Sequence, residues 1–119
     1  MTNKIIVLIT CGSAREAARI AQALVSERAA ACVNILQMPV QSIYRWKGDV
    51  KRAKEVLLIV KTSRRRFRAL ERSIQRVHSY EVPEIIALPI VAGPSAYLAW
   101  LDSSVSPPPA HLRKMATRR

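Results

Sequence analysis

Glycine, cysteine and aromatic side chains are all scarce in this chain. Its 119 residues include three Gly, two Cys, one Phe, two Trp and three Tyr. Three glycines leave little material for the backbone cradles that hold phosphates, and no P-loop or Gly-rich nucleotide fingerprint occurs. Cys11 and Cys32 are too few for a disulfide framework and stand in no metal-knuckle spacing. So few aromatics give nucleic-acid bases little to stack on. No Ser-His-Asp order or paired-acid motif is present, so an enzyme is not expected. No apolar run approaches the roughly 20 residues that span a bilayer. The stretch Ile5 to Ile9 is short even for a signal peptide, and no small-residue cleavage site follows it. A cytoplasmic protein with no membrane contact is the expectation.

Acids are scarce too. Eight Asp and Glu face twenty Lys and Arg, for a net charge of +12. Such an excess favours nucleic acid, anionic surfaces or acidic partners. Half of the residues are hydrophobic, enough for a folded core. The length suits one domain. We place it at residues 1–105, followed by a Pro-rich basic tail, 106–119, expected to be disordered.

Lys4 to Thr10 is a continuous β-branched run that predicts a buried strand. Ser13-Ala14-Arg15-Glu16 has the form of a capping box, and Ala17, Ile20, Ala21, Leu24 and Val25 follow at helical spacing. Strand character returns over Ala31 to Leu36. Gln41 to Trp46 and Lys51 to Thr62 flank the turn signal Lys47-Gly48-Asp49 and predict a long hairpin, with Tyr44 and Trp46 on one face. Ser63 can cap a second helix with an apolar stripe of Phe67, Leu70, Ile74 and Val77. Its other face carries Arg64, Arg65, Arg66, Arg68, Arg72 and Arg76. A last main strand falls within Val82 to Val91, and its two prolines argue for a late start or an edge position. Gly93-Pro94-Ser95 opens a short C-terminal helix with Tyr97, Leu98 and Leu101 inward.

The order strand, helix, strand, strand, helix, strand predicts an α+β fold, the ferredoxin-like βαββαβ sandwich, with an antiparallel sheet and helices on one face. Several strands are apolar on both sides, and helices cover only one. Self-association is the simplest cover for the other face and for the sheet edges.

The polar segment His78-Ser79-Tyr80-Glu81-Val82-Pro83-Glu84 runs into the strand Ile85-Ile86-Ala87-Leu88-Pro89-Ile90. With Cys11 after the first strand, Ala30-Ala31-Cys32-Val33-Asn34-Ile35, Tyr44-Arg45-Trp46-x-Gly48, Glu55 to Thr62, and Tyr97-Leu98-x-Trp100-Leu101, it resembles the CutA divalent-cation tolerance proteins over about residues 4–102. The resemblance implies a ferredoxin-like fold akin to the PII signalling proteins, a tight homotrimer, and a link to copper and other divalent cations. The family usually has His-Pro-Tyr where this chain has His78-Ser79-Tyr80. It usually has Pro-Asp in place of Gly12-Ser13, and a glutamate in place of Lys47.

Two kinds of site follow. For a metal, His78 and Cys32 offer the nitrogen and sulfur that copper prefers, Glu81 or Glu84 a carboxylate, and Cys11 a further thiol. No local spacing forces them together. Cys32 reads rather as a small buried hydrophobe, Cys11 equally as a thiol activated at a helix start or simply packed, and His78 as an exposed or capping residue at the end of the second helix. For a small ligand, Tyr44, Trp46, Lys61, Tyr80 and Glu84 suit an inter-subunit cleft. Tyr44 and Trp46 also suit interface anchors, and Lys61 with Glu84 a structural ion pair. A non-catalytic small-ligand or PII-like signalling module is therefore an alternative to metal response. Nucleic acid held by the Arg-rich face is a further rival, less favoured than a solvated basic surface.

Overall fold

The structure, a computed structural model, describes residues 2–107. Nine elements follow in order. They are β1 (Lys4–Cys11), α1 (Ala14–Ser26), β2 (Cys32–Ile35), β3 (Val40–Trp46), β4 (Asp49–Ser63), a 3-10 turn (Arg64–Arg66), α2 (Phe67–Val77), β5 (Ile85–Pro89) and α3 (Ser95–Val105). The sheet runs β2-β4-β1-β5, with β3 also on β4, and every pairing is antiparallel. This is the ferredoxin-like arrangement expected. The basic tail beyond residue 107 lies outside the described residues.

Side-chain alternation splits the sheet into two faces. Ile5, Val7, Ile9 and Cys11 of β1 and Val56, Leu58 and Val60 of β4 are buried together with Ala17, Ile20 and Leu24 of α1 and Leu70 and Ile74 of α2. Burying each large aliphatic side chain contributes about 1.5–3 kcal/mol. The opposite face carries Ile6 and Leu8, Leu57 and Ile59, and Ile86 and Leu88, aligned by the strand register. Ile86 and Leu88 are 53% and 47% exposed. Among the described residues, nothing fully covers this apolar sheet face.

Local chemistry sets the element ends. The Ser13 side chain accepts from the Glu16 amide at 3.1 Å, the first half of the capping box. The second half is redirected, because Glu16 reaches the Gly12 amide at 3.2 Å. The hairpin closes through Lys47 and Gly48, both with positive φ (51° and 86°), between the paired Trp46 and Asp49. Two left-handed residues match the twist of the flanking strands. Ser63 makes no side-chain cap bond, and a 3-10 turn of three arginines precedes α2 instead. In α3, Leu101 and Val105 are buried, whereas Tyr97 is 41% exposed and not inward as expected. Gly93 and Pro94 start the helix more than one turn ahead of Leu101, where it meets Ala31 and Ile90.

Candidate functional site

The polar segment after α2 is tied down by a buried network. His78 closes the helix and its side chain is fully buried. The Tyr80 amide donates to Nδ1 at 3.0 Å, which leaves the ring proton on Nε2 to be donated to the Thr10 carbonyl at 2.8 Å. Glu16 accepts from the Ser79 amide at 2.7 Å and lies 3.7 Å from His78 Nδ1. Burial works to raise the Glu16 pKa, but the Ser79 and Gly12 donors and the nearby imidazole outweigh it and hold the carboxyl below its usual value. The segment is therefore aimed by hydrogen bonds to β1 and α1, and Ser79 serves through its backbone without the proline usual at that position.

Beyond this anchor the chain opens on a cleft. Tyr80 donates its hydroxyl to Glu55 Oε2 at 2.8 Å. Burial and the Glu55 carboxylate both raise the phenol pKa, so it stays protonated. Tyr80, Glu55 and Glu84 line a cavity of about 600 Å³ together with Tyr44, Trp46 and Glu81. Thr10, Ser42, Ile43 and Val82 complete its wall. Alternation along β3 and β4 places Ser42, Tyr44 and Trp46 on the face of Glu55. The Glu84 pKa is raised, first by burial and then by the charge of Glu55. The cleft thus holds two mutually repelling carboxylates beneath aromatic walls.

The expected metal set is not gathered. His78 has both ring nitrogens engaged. Cys32 pairs across β2 with Lys61, while Thr10 pairs with Leu57, so Cys32 lies about 13 Å along β4 from the backbone that His78 touches. Cys11 is fully buried, and burial raises its pKa above the usual thiol value despite its position before a helix. The thiol donates weakly to the Ser13 carbonyl at 3.5 Å. Among the described residues no group of three or more His, Cys, Asp or Glu is placed to hold a metal ion.

Of the expected cleft residues, Tyr44, Trp46, Tyr80 and Glu84 line the cavity and Lys61 does not. Lys61 binds Asn34 instead of pairing with Glu84. Its even spacing from Glu55 puts it on the correct face, but six positions along β4 carry it out of reach. Glu55 was missed as a site residue. Its signal was a lone acid at the polar end of the apolar run Val56 to Val60.

The Arg-rich surface is partly committed. Arg65 faces Asp102 at 3.4 Å, Arg76 faces Glu27 at 3.0 Å, and Arg66 donates to the Arg28 carbonyl at 3.1 Å. Arg64, Arg68 and Arg72 form no ion pair among the described residues.

Fold and cleft define a small α+β protein of ferredoxin-like topology with a preformed, acidic, aromatic-walled cleft beside an open apolar sheet face. Comparison with known proteins narrows this class. A model of the CutA1 divalent ion tolerance protein family matches residues 5–104. A divalent-cation tolerance protein CutA of Thermus thermophilus is 51% identical over 96 residues, 81% of this chain and 92% of that protein. Protein CutA of Mus musculus is 43% identical over 78% of this chain, which spans only 52% of it. The solved structure of the Thermus thermophilus divalent cation tolerance protein superposes with a TM-score of 0.82 at 48% identity, covering 85% of this chain and 97% of that one. The chain belongs to the CutA divalent-cation tolerance family.

Proposed function

We propose that this CutA-family chain acts in divalent-cation tolerance as a non-catalytic homotrimer that binds copper or another divalent cation in the Glu55–Glu84 cleft. The observation that carries the reading is the carboxylate pair. Glu84 is raised in pKa by burial and by Glu55, and among the described residues no Lys or Arg lines the cavity. A divalent cation between two such groups removes their repulsion. Carboxylate and hydroxyl oxygens suit hard divalent ions, and Cu²⁺ stands highest in affinity among the first-row divalent ions at nitrogen and oxygen sites. The family name supports the cation link. The open apolar face supports self-association, because a second copy can cover Ile86 and Leu88. Of the metal ligands expected from the sequence, Glu84 is kept here, and His78, Cys32 and Cys11 give way to Glu55.

Calorimetric titration with Cu²⁺, Zn²⁺ and Mg²⁺ tests this on the wild-type chain, Glu55→Gln, Glu84→Gln and His78→Ala. Affinity should fall at least about tenfold in each glutamine variant, about 1.4 kcal/mol. It should change little in a folded His78→Ala protein. Loss confined to His78→Ala would move the ion to the imidazole and end the cleft assignment.

A further inference from the structure

Several observations about the cleft exceed what a metal ion needs. Its volume of about 600 Å³ lies in the range of pockets for organic ligands and dwarfs a bare cation. Three of its lining side chains are the carboxylates Glu55, Glu81 and Glu84, and among the described residues none of its lining side chains is basic. Tyr44, Trp46 and Tyr80 line it as well, and aromatic rings attract cations through their quadrupoles, as the Lys47 ammonium 5.8 Å from the Trp46 ring centroid illustrates. Glu55 is only 7% exposed. Its Oε2 is taken by Tyr80, while its Oε1 accepts no hydrogen bond among the described residues. No buried side-chain oxygen among the described residues lacks a partner, so Oε1 is open to solvent, and a ligand that brings a donor can replace water on it.

We propose that the cleft also binds a small organic ammonium ion, a primary amine carried on a short apolar chain. The ammonium group supplies three N–H donors. Glu55 Oε1, Glu84 and the Ser42 hydroxyl provide acceptors for them. The alkyl chain then lies against Trp46 and Val82 at the cleft wall. A quaternary ammonium keeps the cation–π attraction but has no N–H to give, so it binds more weakly. An uncharged alcohol of the same length retains the apolar contact alone. The inference uses the same cleft as the cation reading but not its metal chemistry.

Titration of the full chain with n-butylamine and 1,4-diaminobutane, in buffer containing a chelator and no metal, tests the proposal alone. Saturable binding is expected, weakened at least tenfold for tetramethylammonium and for n-butanol. Glu55→Gln should lose at least tenfold in amine affinity. Trp46→Ala removes an exposed side chain without touching the core, so it serves as a second variant if Glu55→Gln fails to fold, and it should weaken the amine several-fold. No saturable binding, equal binding of the alcohol, or full affinity in Trp46→Ala would overturn the inference. Metal titration in amine-free buffer is a separate measurement, so either reading can fail without the other.

Discussion

Tyr80 donates its hydroxyl to Glu55 across 2.8 Å, joining a residue from the loop after α2 to one from the middle of the long strand β4. The contact fixes the depth of the cleft and orients the carboxylate. Tyr80→Phe keeps the ring and removes the donor. It should lower stability by about 1 kcal/mol, as a single partly buried hydrogen bond does. It should also lower the Glu84 pKa little, because the Glu55 charge remains. Thermal melts and the carboxyl titration followed by NMR check both.

His78 acts as a buried tie between the Tyr80 amide and the Thr10 carbonyl. His78→Ala leaves both groups unpaired in a buried place, so a loss of about 2–4 kcal/mol is expected. Urea denaturation measures it. A near-neutral variant would show that the ring is dispensable to the fold.

Acid stability should depend on Glu16. Its pKa is depressed in the folded chain, so it contributes stability that is fully present above the unfolded value of about 4.3 and is lost as pH falls through the folded value. Glu84 has the opposite sign. Its raised folded pKa gives stability below the unfolded value that is lost as pH rises through the folded one. Glu16→Gln should therefore cost stability at pH 7 and flatten the acid limb below about pH 4. Glu84→Gln should raise the melting temperature at pH 7 and change little at pH 3.

Association should follow from the open sheet face. Light scattering is expected to give three times 13.3 kDa, about 40 kDa. Leu88→Glu places a charge on a half-exposed side chain of that face and should shift the population toward a 13.3 kDa species. A wild-type chain that scatters as a monomer would rule the trimer out.

Thiol reactivity separates the two cysteines. Cys11 is fully buried with its pKa raised by that burial. In a Cys32→Ala background, Cys11 should react with a disulfide reagent at pH 7.5 at least about a hundredfold more slowly than in denaturant.

Much of the fold was legible because it rests on periodicity. The run Lys4 to Thr10, the stripe Phe67-Leu70-Ile74-Val77 and the Lys47-Gly48 turn each place an element by local rules. Boundaries moved where tertiary contacts decide. Ser63 stays in β4 because its backbone partner there is Lys4, and Tyr97 turns outward because α3 meets the body only from Leu101 onward. The cleft was half legible. Tyr44, Trp46 and Tyr80 announced themselves by type and alternation, whereas Glu55 read as an ordinary strand acid.

The sequence by itself determined the element order, the two-faced sheet and the excess of positive charge, because these depend on side-chain period and composition. Only the tertiary structure decided which polar groups meet. It brought Glu55 under Tyr80 and beside Glu84, turned His78 inward to Thr10, and kept Cys32 and Lys61 away from the cleft. Those outcomes depend on strand register and on where the loop after α2 lands, and no local spacing encodes either.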